Sequence, residues 1–258
     1  MSVIPRVLAL DFDGVICDGL KEYFQTAWKA YAQIWQVTVL PDATIAPAFY
    51  RLRPVVETGW EMPLVIRALA TGITEAEIFQ NWTAIAAQIV ADNHLKPLEV
   101  GTIVDTIRDQ LIATDLESWL AEHEFYPGVL ERLRSILSSS TDFIIISTKE
   151  GRFIKQLLYK QGIELKPEQI YGKESKRPKA QVLNELRQAY GETASIWFVE
   201  DRLKTLEAVE KQETLANVEL FLADWGYNTT LERQQAKESD RVRLLSLAEF
   251  RQDFSAWI

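Results

Sequence analysis

The segment Val7-Leu8-Ala9-Leu10 is apolar at every position and stops abruptly at Asp11-Phe12-Asp13-Gly14. Strand side chains alternate between faces, so a run with no polar position must be covered on both sides. That points to a central strand in a parallel sheet flanked by helices. Comparable apolar runs return only much later, over 143–146, 196–199, 218–222 and 242–245. Among these later runs, apolar residues recur with helical period over 128–138, 151–161, 179–190 and 203–212. Strand and helix in alternation predict an α/β class with a doubly wound parallel sheet.

The intervening stretch is of another kind. Helical periodicity covers 22–35, 62–70, 75–92 and 98–122, and no convincing strand pattern interrupts it. A chain of 258 residues has room for one core plus a smaller second unit. The pattern predicts an inserted all-helical domain over 19–124 and an α/β core domain built from 1–18 and 125–258. Tyr126-Pro127-Gly128 marks the return, since Pro and Gly punctuate there and a helical pattern follows at once.

Composition narrows the chemistry. A formal net charge of −9 with no run of Lys or Arg argues against a nucleic-acid partner, but not against a small anionic substrate. Cys17 is the single cysteine, so an internal disulfide and a thiolate zinc site are both excluded, and His94 and His123 are too few for a histidine-rich metal site. Any metal must therefore be a hard cation on oxygen ligands. No segment has about 18 uninterrupted apolar residues and the first residues lack a signal-peptide pattern, so the expectation is a cytoplasmic protein with no membrane partner.

Asp11 and Asp13 lie two apart and emerge on one face, just past the carboxyl end of the first strand, where open α/β sheets bind ligands. Gly14 then lets the chain turn sharply. Two carboxylates on one face repel, and a divalent cation is the natural compensation. One carboxylate could then attack phosphorus while the other moves a proton. A solvated Asp-Gly turn after a strand would use the same residues.

The hexapeptide Asp11-Phe12-Asp13-Gly14-Val15-Ile16 resembles the first motif of the haloacid dehalogenase-like superfamily. The resemblance implies a Rossmann-like core, a covalent aspartyl-phosphate and Mg²⁺. It places the nucleophile on Asp11 and the general acid/base on Asp13, which would also give its backbone carbonyl to the metal. Later segments resemble the remaining motifs in order. Ser147, followed by Thr148, ends the 143–146 run, and a hydroxyl or backbone amide there can donate to a phosphoryl oxygen; the same residues also suit a helix N-cap. The required lysine is Lys176 by its distance from Asp201, or Lys179 by its position after Pro178 at a helix start. Glu200 and Asp201 resemble the metal-binding acids of the fourth motif, with Asp11 and Asp13 completing the set.

By the same resemblance the helical block is a cap placed between the first and second motifs. Within it, Arg51 and Arg53 could grip a second phosphate or carboxylate of a substrate, or Arg53 could pair with Glu57 to fix its loop. Trp225 and Tyr227 could line the cleft or simply fill the core. Cys17 has no assigned role, and His94 and His123 suit surface or capping positions.

The expected activity is Mg²⁺-dependent hydrolysis of small phosphate monoesters, with a small phosphorylated metabolite as partner. Asp13 argues against dehalogenation, which needs no acid there. A phosphonate-cleaving enzyme would need a cap lysine, and none of Lys21, Lys29 and Lys96 stands out. A phosphomutase would keep the same residues, and a ligand-binding or regulatory protein on the same fold stays open.

Overall fold

The structure, a computed structural model, describes residues 4–258. The described residues form eight strands: β1 (Val7–Leu10), β2 (Cys17–Asp18), β3 (Glu124–Phe125), β4 (Asp142–Ile146), β5 (Ile170–Tyr171), β6 (Ile196–Glu200), β7 (Val218–Ala223) and β8 (Val242–Leu245). Six of them make one parallel sheet in the order β5-β4-β1-β6-β7-β8. The wholly apolar β1 lies inside it, with Leu10 opposite Ile145 of β4 on one side and Val199 of β6 on the other. Strand order reverses at β1, so the crevice beyond its carboxyl end is a topological switch point.

The described residues divide into two compact units, 19–123 and the remainder. The first unit is helical: α1 (Leu20–Trp35), α2 (Ile45–Leu52), α3 (Met62–Ala70), α4 (Glu75–Asp92), α5 (Pro97–Thr114) and α6 (Leu116–Ala121). Its central helix is α3, where Met62 to Ile66 and Ala68 are all buried; an apolar helix of this kind needs neighbours all round. Glu22 of α1 is buried against α5 and α6, where it accepts hydrogen bonds from Arg108 Nε at 2.8 Å, Trp119 Nε1 at 3.3 Å and, within α1, Thr26 Oγ1 at 2.8 Å.

In the α/β unit the sheet is accompanied by α7 (Val129–Leu137), α8 (Gly151–Lys160), α9 (Lys179–Tyr190), α10 (Leu203–Glu210), α11 (Thr230–Glu238) and α12 (Leu247–Phe250). Alternation divides the strands cleanly. Val7, Ala9, Phe198 and Leu220 pack with Val182 and Leu186 of α9 and Leu206 of α10. On the opposite parity, Trp197 and Phe221 meet Phe254 and Trp257 in an aromatic cluster with ring centroids 5.1–5.6 Å apart.

Several elements differ from the sequence pattern. Strands β2, β3 and β5 have two residues each, too few to show a period. Strands β2 and β3 pair antiparallel, Asp18 opposite Glu124, and so join the two points where the chain leaves and re-enters the α/β unit. The helical pattern over 98–122 is broken at Asp115, whose side chain accepts from Ser118 N and starts α6. Helix α2 is an additional element with Pro47 in its first turn, where the missing N–H costs no intrahelical bond. Among the described residues no helix is long and apolar enough to cross a membrane.

Candidate active site

Asp11 follows the last residue of β1 and is buried. Its Oδ1 accepts a hydrogen bond from Phe12 N at 2.6 Å, and its Oδ2 lies 2.7 Å from Lys179 Nζ. The same ammonium donates to Glu200 Oε2 at 2.6 Å. Glu200 ends the fully buried β6, and Asp201 follows it, also buried. One oxygen from each of Asp11, Glu200 and Asp201 falls within 4.8 Å of the others.

The electrostatics are those of a poised site. Burial, opposed by Lys179 and reinforced by Glu200 and Asp13, pushes Asp11 up to about 7. Burial likewise raises Glu200 to about 7, with Asp201 adding to the effect. For Lys179, burial alone would lower the affinity for its proton, yet Asp11 and Glu200 outweigh it and hold the ammonium above the usual lysine range. Lys179 is also the first residue of α9, at the positive end of the helix dipole, where a cation is disfavoured unless acids face it. Lys179 is shared by two buried carboxylates, Asp11 and Glu200, and the third, Asp201, lies in the same cluster. A hard, oxygen-only donor set of that kind fits Mg²⁺.

Other residues named from sequence are placed as follows. Asp13 is half-buried beside Lys149, whose Nζ is 3.2 and 3.4 Å from its two oxygens. Ser147 is buried at the end of β4; its backbone N–H donates to Tyr171 O at 2.9 Å, and its hydroxyl accepts from Lys149 N at 3.2 Å. Thr148 is exposed. Gly14 has φ +84°, and an added Cβ would run into the Asp201 carboxylate, so both backbone freedom and close approach require glycine.

Of the two candidate lysines, Lys176 is exposed in a left-handed turn that ends a short 3-10 segment, whereas Lys179 reaches Asp11. Spacing favoured Lys176 because counting along the chain ignores that turn. Arg51 is exposed and makes a two-pronged pair with Glu75, at 2.9 and 2.7 Å, so its fork is already matched within the helical unit. Arg53 donates to Val56 O at 3.0 Å and lies over the Tyr23 ring. His123 is buried rather than at the surface, with Nδ1 3.1 Å from Trp119 O at the end of α6. Cys17 is buried in β2, and burial pushes its thiol well above the usual range.

Two features escaped the sequence reading. Lys149 was passed over, although a basic residue just past the strand neighbouring β1 is well placed to meet Asp13. For the loop Trp225–Asn228, sequence offers only the choice of cleft lining or core at Trp225 and Tyr227. In that loop, Tyr227 N donates to Asp201 Oδ2 at 2.7 Å and Asn228 Nδ2 donates to Asp201 O at 3.0 Å.

No protein-family model matches the chain, and neither does any curated protein sequence. Solved structures do. A haloacid dehalogenase-like family hydrolase from Streptococcus pneumoniae shares 16% identity at a TM-score of 0.57, with 93% of each chain covered. A structure described as a predicted phosphatase from Clostridium acetobutylicum reaches a TM-score of 0.61 at 13% identity, over 96% of this chain and 97% of that one. The chain has the haloacid dehalogenase-like fold. A hydrolase of this fold from Deinococcus radiodurans, with bound phosphate and sodium, aligns at a TM-score of 0.52 and 17% identity over 93% and 91% of the two chains. At such identities the likeness concerns the haloacid dehalogenase-like fold itself. The chemistry must be argued from the residues above.

Proposed function

We propose that this chain is a Mg²⁺-dependent phosphatase of small phosphate monoesters that works through an aspartyl-phosphate. The observation that carries the reading is Lys179, held 2.7 Å from Asp11 and 2.6 Å from Glu200 within a cluster of three buried acids. A lysine so placed offsets charge between a carboxylate nucleophile and a phosphoryl group. The phosphate carried by the Deinococcus radiodurans hydrolase of the same fold supports a phosphoryl substrate.

In this scheme an Asp11 carboxylate oxygen forms a bond to phosphorus as the ester P–O bond breaks, and Asp13 gives the departing alkoxide its proton. Asp13 then takes a proton from water as the water oxygen attacks phosphorus, releasing inorganic phosphate and restoring the Asp11 carboxylate. The Ser147 hydroxyl and the Lys179 ammonium donate to phosphoryl oxygens, where negative charge grows. Lys149 keeps the Asp13 side chain turned toward the site. Mg²⁺ would be held by Asp11, Glu200, Asp201 and the Asp13 carbonyl, and would supply neutralisation of the converging negative charge. The helical unit, inserted in chain order between the Asp11 and Ser147 segments, takes the role of a substrate-selecting cap.

The test is phosphate release from a panel of phosphate esters with Mg²⁺, with EDTA, and with Asp11→Asn. The expected result is metal-dependent release that Asp11→Asn abolishes. Release that persists in Asp11→Asn sinks the nucleophile assignment, and no release from any ester, with folding and Mg²⁺ binding intact, sinks the phosphatase reading.

A further inference from the structure

The loop Trp225–Asn228 reaches in two directions. Toward the end of β6, Tyr227 N donates to Asp201 Oδ2 at 2.7 Å, Asn228 Nδ2 donates to Asp201 O at 3.0 Å, and Arg202 Nη1 donates to Tyr227 O at 3.0 Å. Toward the turn after β1, Trp225 Nε1 donates to Val15 O at 3.1 Å, and the Tyr227 hydroxyl donates to Asp18 Oδ1 at 2.9 Å. Between these anchor points Gly226 lies so flat on Gly14 and Asp201 that an added Cβ would meet both. Asn228 Nδ2 also donates to Ala223 O at 2.7 Å, tying the loop's far end to β7.

A carboxylate that binds a cation is oriented by what holds its other oxygen, and such supporting partners typically set metal affinity by about 10–100-fold. The N–H that holds Asp201 belongs to a residue whose own side chain is tethered 2.9 Å from Asp18. We infer that Tyr227 is a positioning residue for Asp201, and that its hydroxyl bond to Asp18 is what sets its main-chain N–H. The inference rests on the metal role proposed for Asp201. It goes further in assigning part of the Mg²⁺ affinity to a tyrosine hydroxyl and an acid that touch neither metal nor substrate.

The experiment is the thermal unfolding midpoint of the full chain against MgCl₂ concentration, which yields an apparent Mg²⁺ affinity without substrate. It compares wild type with Tyr227→Phe, Asp18→Ala and Asp18→Asn. Tyr227→Phe keeps the packed ring, and it and Asp18→Ala are expected to weaken Mg²⁺ binding about three- to tenfold. Asp18→Asn retains an acceptor oxygen and is expected to stay within about twofold of wild type; a merely structural loss would not be rescued in this way. With an active ester, Tyr227→Phe should lower kcat at subsaturating Mg²⁺ and leave the ester KM unchanged. Wild-type Mg²⁺ affinity in Tyr227→Phe overturns the inference, as does Asp18→Asn behaving like Asp18→Ala. A wild-type midpoint that ignores Mg²⁺ overturns the metal reading itself, and the inference with it.

Discussion

In the helical unit, Glu22 is buried against Arg108; in the α/β unit, Asp11 and Glu200 are buried against Lys179, with Asp201 in the same cluster. The first cluster closes on itself. Arg108 donates Nε and Nη2 to the two Glu22 oxygens, and Thr26 and Trp119 add further donors. Burial disfavours the Arg108 charge, but Glu22 outweighs it and keeps the guanidinium above its ordinary range. The second cluster does not close, and Asp11 and Glu200 are pushed up to about 7. A buried pair with matched charge holds helices together, whereas a buried excess of one sign is tolerated where something else supplies the missing charge.

The largest effect that follows is on Asp11→Asn. Phosphate release should fall at least about a thousandfold, because an amide cannot replace the attacking carboxylate. Stability should move the other way: in EDTA at pH 8 the variant should be more stable than wild type, by on the order of 1–2 kcal/mol, since a buried excess charge is gone. Chemical denaturation measures this. A variant less stable than wild type in EDTA would mean that the site is a structural network like that of Glu22.

Glu22→Gln should show the reverse. It strands the Arg108 guanidinium in the interior, and a broken buried pair costs roughly 3–5 kcal/mol. The unfolding free energy from chemical denaturation should fall by that amount whether or not Mg²⁺ is present. A loss below about 1 kcal/mol would show that water reaches Arg108 and that the cluster is not closed.

A pH titration of stability in EDTA separates the clusters more finely. Asp11 and Glu200 have folded values near 7, above their ordinary values of 3.8 and 4.5. Below about pH 3 they are protonated in both states and favour neither. As pH rises from 4 to 7 the unfolded chain releases these protons first, so stability falls and then levels off above 7. Mg²⁺ should flatten that decline, because a cation takes the place of the protons. A wild-type profile rising steadily from pH 4 to 7 in EDTA would mean that both acids are ionised in the folded state and balanced by other charges.

How far this arrangement is legible in sequence depends on the range over which each signal acts. The apolar runs at β1, β4, β6 and β7 demand burial on both faces, and four such runs in alternation with helices leave few architectures open. Asp11, Glu200 and Asp201 stand at strand ends, so the parallel sheet itself gathers them. Spacing points to Lys176 and the helix start after Pro178 points to Lys179, and the outcome turns on a single left-handed residue at Lys176. Lys149 on Asp13, and Tyr227 bridging Asp201 and Asp18, join residues more than a hundred positions apart, apart from the 26 between Asp201 and Tyr227. No local period or motif marks such pairs. The two-residue ladder of β2 and β3 is invisible for the complementary reason, being too short to alternate.

The smallest expected effect concerns a matched pair at the surface. Arg51 and Glu75 meet in two-pronged geometry, yet the arginine is exposed, and water competes for both partners. Arg51→Ala should therefore leave the denaturation midpoint and the ester KM where they are in wild type. A rise in KM with unchanged stability would show that Arg51 leaves Glu75 for an anionic group of the substrate, and that matched charge in the helical unit is not always structural. Because Glu75→Gln frees the same arginine without removing it, that variant should then lower KM. Opposite shifts in the two variants would assign Arg51 to substrate recognition, and no shift in either would leave Arg51 and Glu75 as a surface pair matched to each other.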